Sequence, residues 1–207
     1  MQFRRMNLAI LAVGRGVMAL LLGAGLFAVP ASAREMQVDG VPVAEHASLA
    51  GQDLILNGAG LRSILGFHLY VAALYLPERQ ASAADILGHD RPRRMQITLL
   101  HGVTTEQNLE ALKNGLIANN SLAEMAAIDA DVAHFLGLLR QMHELPAGTA
   151  IQFDYLPGSG TQVRVGERDF GRIPGARFNL AVMRIWLGEN PVQLSLKKAL
   201  LGLDRSA

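Results

Sequence analysis

The sequence predicts an α+β protein in which an antiparallel β-sheet packs against a layer of α-helices, as an open-faced β-sandwich. Strand-like segments cluster between residues 36 and 100, and helical segments occupy residues 104 to about 142. Strands return from residue 149, and two helices close the chain. Runs of strands followed by runs of helices favour this class over an alternating α/β fold. The length after residue 33 suits one domain with a substantial core.

The first 33 residues have the composition of a signal peptide. Three arginines precede an apolar stretch of residues 17–29, and Ala33 ends an Ala-Ser-Ala motif typical of cleavage sites. An uncleaved anchor is the alternative, but the apolar stretch is short for a membrane span. We therefore expect cleavage after Ala33 and a periplasmic or secreted domain of residues 34–207 without a stable membrane span.

Composition excludes several function classes. Removing the three N-terminal arginines changes the formal net charge from +1 to −2, so the mature chain lacks the basic surface that nucleic-acid binding requires. The chain has no cysteine, which excludes a disulfide framework and a thiol nucleophile. None of the six histidines has a metal-ligand spacing. We expect neither a metal nor an organic cofactor.

The first half of the domain carries strong turn and strand signals. Asp39-Gly40 predicts a tight hairpin between two short alternating strands. Asn57-Gly58 reads as a second turn, which introduces a hairpin of two inner strands. The segment Phe67–Leu76 is apolar and bounded by glycine and proline, which indicates a buried strand.

Capping signals locate the helices of the middle region. Ser82 is a predicted N-cap, and Arg94–Leu100 is a predicted strand. Thr104 with Gln107 forms a capping box that should open one helix. A second box begins at Ser121, and the apolar spacing that follows predicts one continuous helix to about Met142.

The last third returns to strands before it ends in helices. Thr149–Leu156 alternates apolar and polar residues, and Gln162–Val165 follows a Pro-Gly-Ser-Gly turn. Residues 166–170 are predicted as a further turn. Phe178–Trp186 has helical spacing, and Pro191 should open the last helix.

Arg62 is the most informative single residue, because it places a guanidinium in an apolar stretch. A desolvated guanidinium is costly unless it is paired or hydrogen-bonded. Either an internal acid such as Asp53 or Asp154 pairs with it, or the site is built for an anionic or carbonyl-bearing ligand. His68 lies nearby and has the same strand parity as Tyr70, so it is a further candidate for the site.

Five segments of the sequence resemble the chalcone isomerase-like family, especially its secreted bacterial branch. These segments are GAGLR at residues 58–62, ALYLP at 73–77, DYLPGSGTQVRVG at 154–166, IPGARF at 173–178 and IWLGENPV at 185–192. The resemblance covers nearly all of the chain after residue 36. It implies a chalcone isomerase-like fold with a ligand cleft between the sheet and the helices.

The resemblance also implies a set of site residues. Arg62 matches the family's cleft arginine, which binds the substrate oxyanion in plant chalcone isomerases. Tyr70 aligns with the strand threonine that helps to activate the carbonyl, and Ile185 aligns with a cleft residue on the late helix. Gln107 and Asn114 align with the family's helix pair of tyrosine and asparagine. The arginine and the asparagine are therefore retained, whereas the other positions differ.

These departures favour a non-catalytic binding protein for a fatty acid or a similar amphipathic, polyketide-like carboxylate, because the family's binding members hold a carboxylate with an arginine and a tyrosine. A guanidinium matches a carboxylate bidentately, and a phenol adds one donor. The first alternative is an isomerase, an intramolecular lyase that cyclises a chalcone-like enone with Arg62 and Asn114 as catalytic residues. The second is a structural or partner-binding envelope protein with a vestigial cleft.

Overall fold

The computed structural model describes residues 34–140 and 144–204, so the predicted signal peptide of residues 1–33 lies outside the described residues. The strands are β1 (Glu35–Val38), β2 (Val41–Ala44), β3 (His46–Leu49), β4 (Gln52–Ile64), β5 (Phe67–Leu76), β6 (Arg93–Leu99), β7 (Val103–Thr104), β8 (Glu144–Leu145), β9 (Ala150–Leu156), β10 (Gly160–Val165) and β11 (Arg168–Ile173). The helices are α1 (Ala83–Gly88), α2 (Thr105–Asn119), α3 (Leu122–Ala127), α4 (Asp129–Leu139), α5 (Arg177–Leu187) and α6 (Leu194–Leu200).

Seven strands form one antiparallel sheet, in the order β11-β10-β9-β6-β5-β4-β3. The main core lies between one face of this sheet and the helices, and the α+β prediction is confirmed. A second, smaller cluster lies on the opposite face, where residues of β4 and β5 pack with those of the β1–β2 hairpin. The helix-covered face is the one on which an internal site can form.

The predicted turn at Asp39-Gly40 is confirmed, because both residues have positive φ angles of 49° and 77°. The predicted turn at Asn57-Gly58 is wrong, because both residues lie inside the long strand β4. Asn57 is instead an extra residue in the β4–β5 pairing. Its buried amide donates to the carbonyls of Gln80 and Leu200 at 2.9 and 2.8 Å. The Asn57 side chain thus bonds residues that are distant in the sequence, and its presence here does not mark a turn.

The glycines of the GAGLR segment allow α6 to lie against β4. A Cβ atom on Gly58 would stand 2.0 Å from the carbonyl oxygen of Ala199, and one on Gly60 would stand 2.6 Å from the Ala199 Cβ. Both contacts are far closer than packed atoms tolerate. The motif therefore serves a close approach of helix and strand, and it brings the residues just before α6 beside Arg62.

The capping boxes at Thr104 and Ser121 are both confirmed, and each opens a helix as predicted. The prediction of one helix from Ser121 to about Met142 is wrong, because the helix breaks at Ile128, and Met142 lies outside the described residues. Ile128 leaves the helical geometry with φ −120° and ψ 8°. The break allows Ile128 and α4 to face the core, whereas α3 buries none of its residues.

The last third is close to prediction, with two differences. The turn predicted over residues 166–170 is confined to Gly166 and Glu167, and residues 168–170 form the first half of β11, which pairs with β10 at the edge of the sheet. The last helix begins at Leu194, three residues after Pro191.

The helices between β6 and β9 leave and rejoin the sheet at one place. The amide of Leu99 donates to the carbonyl of Thr149 at 3.0 Å, and the amide of Gly148 donates to the carbonyl of Leu99 at 2.7 Å. These two bonds close a loop that contains α2, α3 and α4. We call this segment the helical cover.

Candidate functional site

An apolar cavity of about 90 Å³ lies between the sheet and the helices. Its floor is formed by side chains of β6 and β9, namely Ile97, Leu99, Ile151 and Phe153. Its walls come from α4 and α5, with Phe135, Leu139 and Ile185 among them, and from Leu112 of α2. This part of the lining is apolar and suits a hydrocarbon chain.

One end of the cavity carries polar groups, because Tyr70 and Trp186 both line it. The indole Nε1–H of Trp186 donates to the phenol oxygen of Tyr70 at 3.0 Å. Burial raises the pKa of Tyr70, and the indole bond and the Arg62 charge only partly oppose that shift. The phenol therefore stays protonated at neutral pH. Among the described residues it donates to no protein acceptor, so its proton is available to a ligand.

Arg62 stands beside this polar end. It is the direct cross-strand partner of Tyr70, so the two side chains project from the same face of the sheet. Its Nη1 atom donates to the backbone carbonyl of Ser63 at 2.9 Å and to Oε1 of Gln193 at 3.0 Å. The same Oε1 accepts from the Ser63 amide at 2.9 Å. Both acceptors are neutral, so the guanidinium is held in place without being neutralised.

The sequence allowed an ion pair between Arg62 and an internal acid. The structure places no such acid beside Arg62 among the described residues. Across residues 34–140 and 144–204, no carboxylate lies within ion-pair distance of its guanidinium. Asp53 is exposed. Asp154 is buried and binds Arg94 and Arg164, with Oδ2 at 2.7 Å from an Nη2 atom of each.

The two helix residues chosen by alignment, Gln107 and Asn114, lie outside the cavity. Gln107 accepts from the Thr104 amide at 3.1 Å and completes the capping box of α2. Asn114 is exposed. The half-buried Asn108 lines the cavity instead, together with Leu112 one turn later. The i, i+4 spacing of these two residues is the signal that would have identified this face of α2.

Ile185 lines the cavity at the position that the sequence assigned to it. It also packs against α2 at Gly115, where a Cβ atom would stand 2.9 Å from Ile185 Cγ2. Trp186 and Gln193 were missed by the sequence analysis. Trp186 is the only tryptophan of the chain. Its position directly after Ile185 is the sequence signal that could have identified it as a site residue. Nothing in the sequence pattern distinguishes Gln193.

His68 does not join the site, and its predicted parity with Tyr70 is wrong. The pairing shifts between Arg62 and Ser63, which leaves Leu69 as an extra residue on β5. An extra residue reverses the direction of the side chains beyond it. The His68 Nδ1 atom consequently lies 2.9 Å from the carboxylate of Asp39, on the β1–β2 turn.

Two further observations concern cofactors and membranes. Within the described part of the chain, no group of three or more histidine, aspartate or glutamate residues is arranged to hold a metal ion. In residues 34–140 and 144–204, no helix has both the length and the apolar character needed to cross a bilayer.

Comparisons with known proteins agree with this architecture. The family model described as chalcone isomerase-like matches residues 35–202. The crystal structure of a fatty-acid binding protein from Arabidopsis thaliana is similar, with a TM-score of 0.59 and 16% sequence identity over 78% of this chain and 92% of that one. No curated protein sequence matches significantly. The α+β architecture is thus the chalcone isomerase-like fold, and the chain belongs to the chalcone isomerase-like family.

Proposed function

We propose that the protein binds a fatty acid or a similar amphipathic carboxylate, with the carboxylate at Arg62 and Tyr70 and the hydrocarbon chain in the apolar cavity. The observation that carries the proposal is the Arg62 guanidinium, which has no acidic partner among the described residues. Buried or half-buried charges in proteins are normally paired. A guanidinium held by neutral groups beside an apolar cavity retains its capacity for an anion.

The donors at the polar end suit a carboxylate. Arg62 is fixed by Gln193 and Ser63, so its remaining N–H groups are oriented before a ligand arrives. Tyr70 adds a neutral O–H donor, whose oxygen is fixed by Trp186. Charge-assisted bonds of this kind are about twice as strong as neutral ones. A carboxylate bound here would neutralise the charge of the Arg62 guanidinium.

The cavity must enlarge for a long chain to enter. Its volume of about 90 Å³ lies below the roughly 300–1,000 Å³ of most ligand sites. The walls that can retreat are α2 and α4, because they belong to the helical cover, which joins the sheet at Leu99 and Thr149. The floor is fixed by the ladder between β6 and β9. We therefore propose that ligand entry displaces the helical cover outward.

The comparisons support this reading at the level of the fold. A similar solved structure is that of a protein named for fatty-acid binding, and the chain spans most of that fold. We further propose that the protein is a secreted bacterial member of the family and acts in the periplasm or outside the cell, after cleavage at Ala33. The arginines and the apolar stretch of residues 17–29 support that location.

The test is native mass spectrometry of the protein purified from its own host. We expect the wild type to carry an acid of lipid mass, and Arg62→Met to carry at most a tenth as much. Arg172→Met is the matched control, because Arg172 is an exposed arginine on β11, and it should carry as much as the wild type. A wild type that is empty and takes up no added fatty acid would refute the proposal. Chalcone turnover by the same samples tests the isomerase alternative.

A further inference from the structure

The tip of the β4–β5 hairpin, Ile64-Leu65-Gly66-Phe67, exposes three large apolar side chains side by side. Leu65 is 95% exposed, Phe67 72% and Ile64 46%. Single exposed apolar residues are ordinary on protein surfaces. Three on one tight turn form a small apolar wedge.

The wedge projects beyond the rest of the sheet. Strand β6 pairs with β5 as far as Tyr70, and one more bond joins the Leu100 amide to the Leu69 carbonyl. On the other side, β3 pairs with β4 only over Gln52–Ile55. Ile64 and Phe67 are paired with each other, and neither flanking strand reaches them. The tip is therefore accessible to a flat surface that approaches the end of the sheet.

The backbone conformation of the tip makes a leucine at position 65 unexpected. Leu65 and Gly66 have φ angles of 48° and 84°, the left-handed pair of a type I′ turn, which favours Asn-Gly or Asp-Gly. The turn at Asp39-Gly40 has similar angles and does use a favoured residue. Leucine at this position is strained, and its side chain gains no burial in the fold. Neither stability nor solubility accounts for it, so its use points to an external apolar contact.

The size of the wedge decides between a protein and a lipid as the contact. Even a whole aromatic side chain offers only about 150–250 Å², so three partly exposed side chains fall short of the ~800 Å² per partner of a stable protein interface. A lipid surface needs no complementary shape, and apolar side chains enter its boundary readily. We propose that this tip inserts into the surface of a lipid bilayer.

Insertion would orient the molecule. Arg62 precedes Ile64 by two residues, so the polar end of the cavity would come to lie close to the lipid. The formal charge of −2 after loss of the N-terminal arginines gives no attraction to anionic headgroups, so uncharged phosphatidylcholine should suffice. The inference rests on the tip alone, and it holds or fails whether or not the cavity takes a carboxylate.

The test places a reporter in the tip. Phe67→Trp, expressed from the full-length gene, is mixed with vesicles of brominated phosphatidylcholine, and tryptophan quenching is measured. The wild type is the reference, because its only tryptophan, Trp186, is 4% exposed and contributes the same buried background emission to both proteins. We expect strong quenching and a blue shift in Phe67→Trp, with little change in the wild type. An unquenched Phe67→Trp overturns the proposal.

A matched pair of variants then measures the strength of insertion. Leu65→Asn, made in the Phe67→Trp background, replaces the wedge leucine by a residue that the turn prefers, so folding is preserved. We expect its vesicle partition coefficient to fall at least tenfold. Leu122→Asn in the same background removes a leucine that is 90% exposed on α3, and it should partition unchanged. Equal losses from both variants, or a dimer that Leu65→Asn abolishes while vesicles never quench, would overturn the proposal.

Discussion

Two arginines, on the two strands that flank β5, occupy opposite electrostatic environments. Arg94 on β6 is 12% exposed at its side chain, and it shares the buried carboxylate of Asp154 with Arg164. Arg62 on β4 is held by the Ser63 carbonyl and the Gln193 amide oxygen, and it pairs across the strands with Tyr70, which lines the cavity. The first guanidinium is satisfied within the fold, whereas the second is positioned but not neutralised. The comparison shows that the partner of an arginine decides its role. An arginine that binds a carboxylate of the fold is part of a structural ion pair, whereas one held by neutral groups is a candidate for binding a ligand.

Removing the acid of the structural cluster should give the largest effect on stability. Asp154→Asn leaves Arg94 nearly buried without a counter-charge, and breaking such a pair typically costs about 3–5 kcal/mol. Urea unfolding followed by circular dichroism measures the loss. Arg164→Gln is the control, because its side chain is 43% exposed and its loss should stay below about 1 kcal/mol. Comparable losses in both variants would show that the two arginines are not distinguished by burial.

Removing the guanidinium of the candidate site should reverse this pattern. Arg62→Met leaves no acid unpaired, and the Ser63 amide keeps its bond to Gln193, so stability should change by less than about 1 kcal/mol. Charged hydrogen bonds contribute about 1.5–3 kcal/mol, so the affinity for a fatty acid should fall roughly 10- to 150-fold. Calorimetric titration and urea unfolding give the two quantities. A stability loss as large as that of Asp154→Asn would show that Arg62 stabilises the fold in the way that Arg94 does.

Removing the phenol should have a smaller effect on affinity. Tyr70→Phe deletes one neutral donor to the ligand, which we expect to weaken binding roughly 3- to 10-fold. It also leaves the Trp186 indole without its acceptor, at a cost of about 1 kcal/mol. Because Trp186 is the only tryptophan, its emission reports the loss directly. An unchanged emission spectrum together with unchanged affinity would remove Tyr70 from the site.

Alkaline pH should produce the most gradual effect. Burial raises the pKa of Tyr70 and Tyr75 above the ordinary value of 10, and burial together with Asp90 raises that of Tyr155 to about 12. The folded chain holds these protons more tightly than the unfolded chain. The tyrosines therefore leave the free energy of unfolding unchanged below pH 10, and that free energy declines as the pH rises towards 12. Urea unfolding at several pH values, with tyrosinate absorbance, follows the decline. Ionisation of all three tyrosines at pH 10 in the native protein would contradict it.

The sequence was sufficient for features that depend on local chemistry. The Asp39-Gly40 turn and the two capping boxes follow from short-range bonding, and they were predicted correctly. The nearness of Arg62 and Tyr70 follows from their place on one hairpin. In each of these cases the residues that determine the structure lie within a few positions of one another.

The sequence was insufficient where packing decides the outcome. One residue of α2 corresponds to a rotation of about 100°, so aligning Gln107 instead of Asn108 places the wrong side of the helix on the cavity. The extra residue Leu69 reverses the parity that seemed to include His68. The break at Ile128 and the strand β11 depend on contacts with distant residues. Gln193 reaches Arg62 only because α6 lies against the glycines of β4.

The bonds that join Leu99 to Gly148 and Thr149 bear on how the family can diversify. Because the ends of the helical cover already meet, lengthening the segment between them adds little closure entropy, about 0.6 kcal/mol for each doubling. Insertions, deletions or exchanged helices there leave the register of β6 and β9 intact. The walls of the cavity are thus the region in which the chain can change length or sequence with the least effect on the sheet that carries Arg62.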